Sequence, residues 1–423
     1  MNAMHEQARH DPPALRSVSE AEGYIVSICF KNGPPRLLGL ELEWTVHAIG
    51  DPAGRVAPER LRAALGPHAP ATLSPDSPQA LLACGGAVTV EPGGQVEIST
   101  PPRSSLTELV ATTTADTAQL DALLAAEGLV RSDSAFDAAR TPEPVLDTPR
   151  YRAMRDMFDR DGPSGRQMMY STASFQVSID AGQPERVAAR WSAAHALGPV
   201  LVAAFANSTP LRSPEHGSGS RRMQSWLGID PARSGPVSGG DGADPAGDWA
   251  RYALAAPLIC RRRPGRDWSV NGRVSFADWI RNPQSVQQAR RSTAPGPPAG
   301  PPTIEDLDYH LSTLFPPVRP RGYLELRYLD AQPEAEWLAP TAILAGLNIH
   351  DDLLDRAREI CEPVRRRWRQ AADLGLDDPP LAAAARALSD VAAEAITGTD
   401  LPPPQTAAAI EAAERRFHPE EKS

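Results

Sequence analysis

Four short segments of the chain alternate apolar and polar residues, the pattern expected of strands with two different faces. The clearest is LLGLELEWTV, in which two glutamates alternate with leucines and a tryptophan. Side chains two positions apart in a strand point to the same side of a sheet. Each segment therefore predicts one apolar face that packs against helices and one polar face. The four segments are residues 37–46, 87–99, 170–180 and 322–329.

Longer segments with helical patterns lie between and after these strands. Because strands and helices do not alternate regularly, we expect an α+β fold around a largely antiparallel sheet. We interpret residues 16–417 as one catalytic domain, with a disordered tail at 1–15, a second tail at 418–423, and mobile loops near 234–247 and 293–302. The predicted helices are residues 106–127, 184–207, 334–375, 381–396 and 405–417.

Composition excludes several classes of protein. Hydrophobic residues make up 41% of the chain and charged residues 23%, which is typical of a globular protein. A formal net charge of −10 argues against a nucleic-acid surface, which needs a basic field. The longest apolar run, residues 196–206, is too short to span a bilayer, and four scattered cysteines indicate neither disulfides nor a zinc site.

These observations point to a cytoplasmic protein that acts on small molecules, because the first twenty residues also lack the features of a secretory signal. The sequence leaves the oligomeric state open, with a monomer favoured. Only Lys31 and Lys422 are lysines, and no GxxxxGK[ST] motif occurs, so the chain has no P-loop. If it handles phosphate, arginines and metal ions must supply the positive charge.

The polar faces of the four segments carry mainly acceptor oxygens. Taken alone, each face is typical of an ordinary solvated strand. Together they contain several carboxylates, which repel each other unless a cation lies between them, and oxygen ligands of this kind suit Mg²⁺. A spacing of i, i+2, roughly 6.5–7 Å, would let neighbouring carboxylates bind different ions. The residues that share these faces are Glu41 and Glu43; Gln95 and Glu97; Ser174, Gln176 and Ser178; and Tyr323, Glu325 and Arg327.

Eight longer motifs follow one another over about residues 36 to 350. Of these, EPGGQxE and FPxVRxxxYLExR are specific in combination, whereas a lone ExE is weak. The motifs are LGLELEW, VEPGGQVEIST, PRYRAMRDMF, STASFQVSID, FANSTP, SRRMQSWLGIDPARSG, RYALAAP and HLSTLFPPVRPRGYLELRYLD. With them the chain resembles the plant-type glutamate–cysteine ligase family, and within it the actinobacterial members of the ergothioneine pathway.

The resemblance implies a fold similar to glutamine synthetase, in which a curved antiparallel sheet forms a funnel with helices on its outer face and ATP bound at one end. It implies a ligase that uses ATP and Mg²⁺ and forms γ-glutamyl phosphate. Two arginines, Arg222 and Arg327, would hold substrate carboxylate or phosphate. The implied metal ligands are Glu41, Glu43, Glu97, Gln176 and Glu325.

Further candidates concern the substrates. Arg150 and Tyr151 match family positions whose roles the resemblance leaves open, and Gln95 lies beside a Gly-Gly turn that permits close approach to a substrate. The thiol of a cysteine substrate needs an apolar pocket, for which Trp226 and Tyr323 are candidates, together with Tyr170.

No pattern identifies the base that takes the proton from the cysteine amine. His47 and His310 lie near the predicted site in the sequence, but a lone histidine is more often structural.

The implied chemistry needs only positioned groups and neutralised charge. A glutamate carboxylate attacks the γ-phosphorus of ATP, and the cysteine amine then displaces phosphate from the acyl phosphate. Three alternatives stay open: the same ligase chemistry with another amine, a phosphotransferase that forms no amide, and a metal-dependent nucleotide-binding protein without turnover. Product identification with glutamate and cysteine together separates them.

Overall fold

The computed structural model describes residues 13–208, 219–237, 243–262, 267–270, 272–288, 300–333 and 336–419. Its strands are β1 (Leu38–Trp44), β2 (Val46–Ala48), β3 (Ala87–Val90), β4 (Val96–Ser99), β5 (Leu129–Arg131), β6 (Ser174–Ile179), β7 (Val318–Pro320) and β8 (Leu324–Asp330). Six of them form one sheet in the order β3-β4-β1-β6-β8-β7, with every neighbouring pair antiparallel. β2 and β5 pair separately.

The α-helices of the described residues precede, separate and follow these strands. They are α1 (Val18–Cys29), α2 (Pro58–Leu65), α3 (Leu106–Ala126), α4 (Pro149–Phe158), α5 (Ser164–Ser171), α6 (Pro184–Ala204), α7 (Arg221–Leu227), α8 (Pro231–Ser234), α9 (Pro245–Ala255), α10 (Phe276–Arg281), α11 (Ser285–Gln288), α12 (Ile304–Leu311), α13 (Leu338–Ile349), α14 (Asp351–Cys361), α15 (Trp368–Leu374), α16 (Pro379–Thr397) and α17 (Pro403–Phe417). The predicted α+β class with an antiparallel sheet is confirmed.

The apolar faces of the strands are buried, as their alternation predicts. Leu40, Leu42 and Trp44 of β1 are all within the core. α6 contacts β8, and α13 contacts β6, so these two helices cover part of the sheet, while α16 and α17 pack against α13 in turn. Almost every residue of α13 is buried, because it lies between the sheet and this outer layer.

Segment 87–99 is not one strand but a hairpin of β3 and β4. The turn is closed by the Glu91 N–H, which donates to the Gln95 carbonyl at 2.8 Å. Gly94 has a φ of +87°, a conformation that side chains other than glycine rarely adopt. The EPGGQ sequence therefore reverses the chain so that β4 pairs antiparallel with β3, and it places β4 beside β1.

The ends of the predicted domain and its loops differ in detail from expectation. Leu15 is buried and its N–H donates to the Pro302 carbonyl, so the chain joins the fold before residue 16. In the predicted loop 234–247, Ser234 is buried at the end of α8 and α9 already begins at Pro245. Residues 1–12, 238–242, 293–299 and 420–423 of the predicted tails and loops lie outside the described residues.

No helix within the described ranges is both long enough and apolar enough to cross a bilayer.

Candidate active site

The polar faces of β1, β4 and β6 line a cavity of about 350 Å³. Strand register puts Glu43 opposite Glu97, and Glu41 opposite Gln176. The structure thus brings together four of the five predicted metal ligands, from three strands that are separated in sequence but adjacent in the sheet. Alternation along each strand was enough to choose the face, and antiparallel pairing then aligned the residues.

One half of this cavity is acidic. It contains Glu41, Glu43 and Glu97 together with Glu91, which sequence analysis treated only as part of a turn. Within the described part of the chain, no arginine or lysine forms an ion pair with any of these four carboxylates. The hairpin brings Glu91 back to the same cavity as Glu97, and the signal that could have found it is the EPGGQxE motif itself.

Hydrogen bonds orient two of the acidic side chains. One carboxylate oxygen of Glu43 accepts from the Ser174 N–H at 2.8 Å and from the Ser174 hydroxyl at 2.9 Å. Glu97 accepts from the Thr89 hydroxyl at 2.9 Å and more weakly from that of Ser99. These neutral donors fix the geometry of the carboxylates without neutralising their charge.

The four carboxyl groups of the acidic half have higher pKa values than carboxyl groups exposed to water. Burial, with the nearby charges of Glu91 and Glu97, raises the pKa of Glu43 to about 8. Burial and neighbouring carboxylates raise the pKa of Glu41 and of Glu97 to about 7, and burial also raises the pKa of Glu91. Full ionisation of this cluster near neutral pH therefore requires a cation between the carboxylates.

Gln176 supplies a further acceptor beside Glu41. Its amide nitrogen donates to the Ser174 hydroxyl, while its Oε1 is buried and has no hydrogen-bond partner among the described residues. Across those residues, no three His, Cys, Asp or Glu side chains converge closely enough to enclose a metal ion by themselves. A cation bound here would need oxygen atoms from a substrate or water, which is how Mg²⁺ is usually held.

The other half of the cavity is basic. Its arginines surround Glu325, which was predicted to bind metal. This side chain is fully buried, and its two oxygens accept from Arg319 Nε at 2.6 Å and Nη2 at 3.0 Å. Arg327 Nη1 lies 2.9 Å away and Arg321 Nη1 3.6 Å away. Although burial alone would raise the pKa of Glu325, Arg319 and Arg327 hold it well below its usual value.

Glu325 was expected to bind metal, but in this structure its carboxylate binds guanidinium groups instead. The side chains that face the cavity from this side are Arg327, Arg319 and Arg321. Arg327 was predicted. The other two were not, although both lie in the VRPRGYLELR motif, where β7 and β8 bring them to one edge of the cavity.

Four more of the predicted substrate residues line the cavity. Arg150 and Tyr151 begin α4, and Arg150 donates to both the hydroxyl and the carbonyl of Ser312. Trp226 reaches the cavity from α7. Gln95 lines it too, but its amide bonds the Gly93 N–H and the Thr172 carbonyl, so its observed role is to hold the turn.

Two predicted substrate residues lie elsewhere. Arg222 is buried outside the cavity wall and donates to the Arg327 carbonyl at 2.7 Å, so it contacts the back of β8. Tyr323 lines a neighbouring cavity of about 360 Å³, which shares Glu41 and Ser99 with the first. Strand alternation predicted that Tyr323 shares a face with Glu325 and Arg327. It could not show that Tyr323 lines a different cavity.

The remaining candidates are structural. Tyr170 is buried outside the wall of the cavity. His47 bonds the Pro52 carbonyl and Thr45, and His310 bonds the Ala253 carbonyl. Burial lowers the pKa of His310 to about 3, so it remains neutral at physiological pH. Neither histidine faces the cavity.

Comparison with known proteins shows which family the chain resembles. The family model for Glutamate-cysteine ligase family 2 (GCS2) matches residues 37–423. The chain is 39% identical to glutamate–cysteine ligase EgtA of Mycolicibacterium smegmatis, over 90% of this chain and 86% of that protein. It is 38% identical to the Mycobacterium tuberculosis protein of the same name, over 92% and 86%.

The comparisons also found more distant likenesses. A chloroplastic glutamate–cysteine ligase A of Oryza sativa subsp. indica is 28% identical over 66% of this chain and 57% of its own length. The solved glutamate–cysteine ligase of Francisella tularensis, in complex with AMP, covers 93% of this chain and 84% of its own with 14% identity and a TM-score of 0.47, too low to argue from.

Proposed function

The chain belongs to glutamate–cysteine ligase family 2, and we propose that it is an ATP-dependent ligase that forms γ-glutamylcysteine through γ-glutamyl phosphate. Relatives named glutamate–cysteine ligase EgtA, at 38–39% identity over nine tenths of the chain, support this activity. Its resemblance to the actinobacterial members suggests that the product supplies ergothioneine biosynthesis. The observation that carries the proposal is one cavity in which uncompensated carboxylates face a cluster of arginines.

The acidic half fits Mg²⁺. Burial and the charges of neighbouring carboxylates raise the pKa values of Glu41, Glu43 and Glu97, and the free Oε1 of Gln176 adds a neutral oxygen. The carboxylates of this half and the Gln176 Oε1 would hold Mg²⁺ together with oxygen atoms from phosphate or water. When bound, Mg²⁺ would neutralise phosphate charge during phosphoryl transfer.

The basic half fits the anions of the reaction. Glu325 fixes the guanidinium groups of Arg319 and Arg327 in place, so they need little reorganisation when negative charge develops nearby. Arg150, held by Ser312 on another wall, can bind a substrate carboxylate. We assign phosphate and carboxylate binding to these arginines and no longer to Arg222.

The acceptor amine is the finer part of the proposal. One wall of the cavity is apolar and rich in sulfur and aromatic groups, formed by Met154, Met168, Met169, Trp226 and Phe315. Methionine and aromatic side chains pack well against a thiol, which supports cysteine over a more polar amine. An acceptor with a charged side chain would lose its hydration there without an opposite charge to replace it.

Product identification tests the proposal. The protein is incubated with ATP, Mg²⁺, glutamate and one amine at a time, and the products are analysed by mass spectrometry and phosphate release. We expect γ-glutamylcysteine and cysteine-dependent phosphate release. Formation of an amide with another amine would refute the assignment of cysteine as acceptor. A stable phosphorylated product without an amide would indicate a phosphotransferase. ATP binding without turnover would refute a catalytic role.

A further inference from the structure

A buried carboxylate outside the cavity joins three parts of the chain. Asp330, the last residue of β8, is 2% exposed. One oxygen accepts from the Asn207 N–H at 2.8 Å and from the Ser208 hydroxyl at 2.5 Å, and the other accepts from the Ser220 hydroxyl at 2.6 Å. The nearest guanidinium nitrogen of Arg222 is 3.9 Å away. Asp330 therefore holds the end of α6 and the start of α7 against the end of β8.

The two serines transmit this contact to α7. Ser220 is the N-cap of the helix, and its hydroxyl oxygen accepts from the Met223 N–H at 3.0 Å. The Ser208 hydroxyl accepts from the Arg222 N–H at 3.2 Å. Since a backbone N–H can only donate, each hydroxyl is left with its own proton to donate, and Asp330 accepts both. The first turn of α7 thus depends on the carboxylate.

α7 in turn holds Arg327 in two ways. Arg222 donates through Nη2 to the Arg327 carbonyl at 2.7 Å. The Trp226 ring lies close to both guanidinium groups, with its centroid 5.1 Å from that of Arg222 and 5.7 Å from that of Arg327. Trp226 is itself fixed by a hydrogen bond from its Nε1 to the Phe315 carbonyl. A shift of α7 would therefore move both the backbone and the guanidinium of Arg327.

We propose that Asp330 is a positioning residue, which sets the orientation of Arg327 in the cavity by fixing the start of α7 to the end of β8. The inference rests on the proposed function for the role of Arg327. An asparagine at position 330 would preserve the volume but offer only one acceptor oxygen, so its NH₂ group would face at least one donor. The substitution should displace α7 slightly while the fold is retained.

The test compares Asp330→Asn with Asp116→Asn. Asp116 is equally buried and accepts two backbone N–H groups, from Cys84 and Gly86, but it lies on α3 and outside the cavity. For Asp330→Asn we expect kcat to fall on the order of 10- to 100-fold, because a misplacement of about 1 Å can cost that much. The KM for cysteine should change by less than about threefold. Asp116→Asn should lower the Tm comparably and leave kcat unchanged.

A double-mutant cycle tests the route of the effect. In an Arg222→Lys background, Asp330→Asn should lower kcat by clearly less than it does alone, since both changes release the same contact. Ser220→Ala, which removes one of the three contacts to Asp330, should lower kcat in the same direction and by less. Additive effects in the cycle, or an unchanged kcat in Asp330→Asn with only a lower Tm, would overturn the proposal.

A measurement without turnover separates this inference from the proposed function. The fluorescence of Trp226 is obtained by subtracting the spectrum of the corresponding Trp226→Phe protein. We expect this difference spectrum to shift in Asp330→Asn and to stay unchanged in Asp116→Asn. A shift in a protein that makes no γ-glutamylcysteine would refute the ligase but retain the positioning role of Asp330. An unshifted spectrum would refute that positioning role.

Discussion

Glu43 and Glu325 are the same residue type on the same face of one sheet, yet their surroundings are opposite. Glu43 accepts hydrogen bonds from Ser174, and its burial together with the charges of Glu91 and Glu97 raises its pKa to about 8. Glu325 is more deeply buried than Glu43 but lies among three arginines, which hold its pKa well below the usual value. Among the described residues, one half of the cavity has carboxylates without ion pairs, and the other has a carboxylate paired with arginines.

This difference suggests that the two halves of the cavity bind different parts of a ligand. The protein itself organises the basic half, because Glu325 pairs with both Arg319 and Arg327. The acidic half is completed only when cations enter, since its carboxylates otherwise retain protons. A ligand with both metal ions and phosphate groups, such as Mg²⁺-ATP, would satisfy both halves at once.

The largest expected effect is on catalysis in the acidic half. Glu43→Gln retains an oxygen that can accept from Ser174 but removes the charge that binds a cation. We expect the rate of γ-glutamylcysteine formation to fall by about 10³-fold at saturating Mg²⁺, the upper range for loss of one charge-stabilising group. Glu97→Ala and Glu41→Ala should be similarly inactive with the fold intact, as judged by circular dichroism.

The same substitution should not destabilise the protein. Without Mg²⁺, Glu43→Gln removes a carboxylate from a crowded acidic cluster, so we expect its Tm to equal or exceed that of the wild type. Wild-type turnover in this variant would remove the argument for a cation site.

The second largest effect is on stability in the basic half. Glu325→Gln leaves Arg319 and Arg327 buried without their counter-ion, and breaking a buried ion pair costs about 3–5 kcal/mol. Urea unfolding without Mg²⁺ should therefore show a loss of this size, opposite in sign to the effect of Glu43→Gln. If both variants changed stability alike, the two halves would not differ electrostatically as described.

Sequence patterns predicted the sheet and most of the acidic half. The alternation in LLGLELEWTV correctly placed Glu41 and Glu43 together, because side-chain direction in a strand depends only on position. The antiparallel fold class and the long helices α3, α6 and α16 also followed from periodicity. Short helices such as α7 and α8 were missed, since seven or four residues show no clear period.

What sequence could not predict was which charged groups contact each other. Glu325 and Arg327 share a strand face, but only the pairing of β7 with β8 shows that Arg319 binds Glu325. Arg222 lies in a motif shared with the family, yet its distance from the cavity depends on how α7 packs behind β8. Glu91 was missed because the hairpin turn, and not strand alternation, brings it to the cavity.

The smallest effect we predict is on the pH dependence of thermal stability. The pKa of Glu43 is about 8 in the folded chain and near its usual value of 4.5 when unfolded, so the folded state retains a proton that the unfolded state has lost. This contribution favours folding at low pH and is lost as pH rises through about 8. Glu41 and Glu97 contribute in the same direction near pH 7.

Without Mg²⁺, the Tm should therefore decrease from pH 6.5 to pH 9, a window above the range in which the buried His195 and His310 affect stability. Mg²⁺ binds the deprotonated carboxylates, so millimolar Mg²⁺ should raise the Tm more at pH 9 than at pH 6.5. The slope should be shallower in Glu43→Gln and should persist in Asp116→Asn, as measured by differential scanning calorimetry. A metal-free Tm that rises across this window would mean that the acidic half is already compensated, and the contrast with Glu325 would disappear.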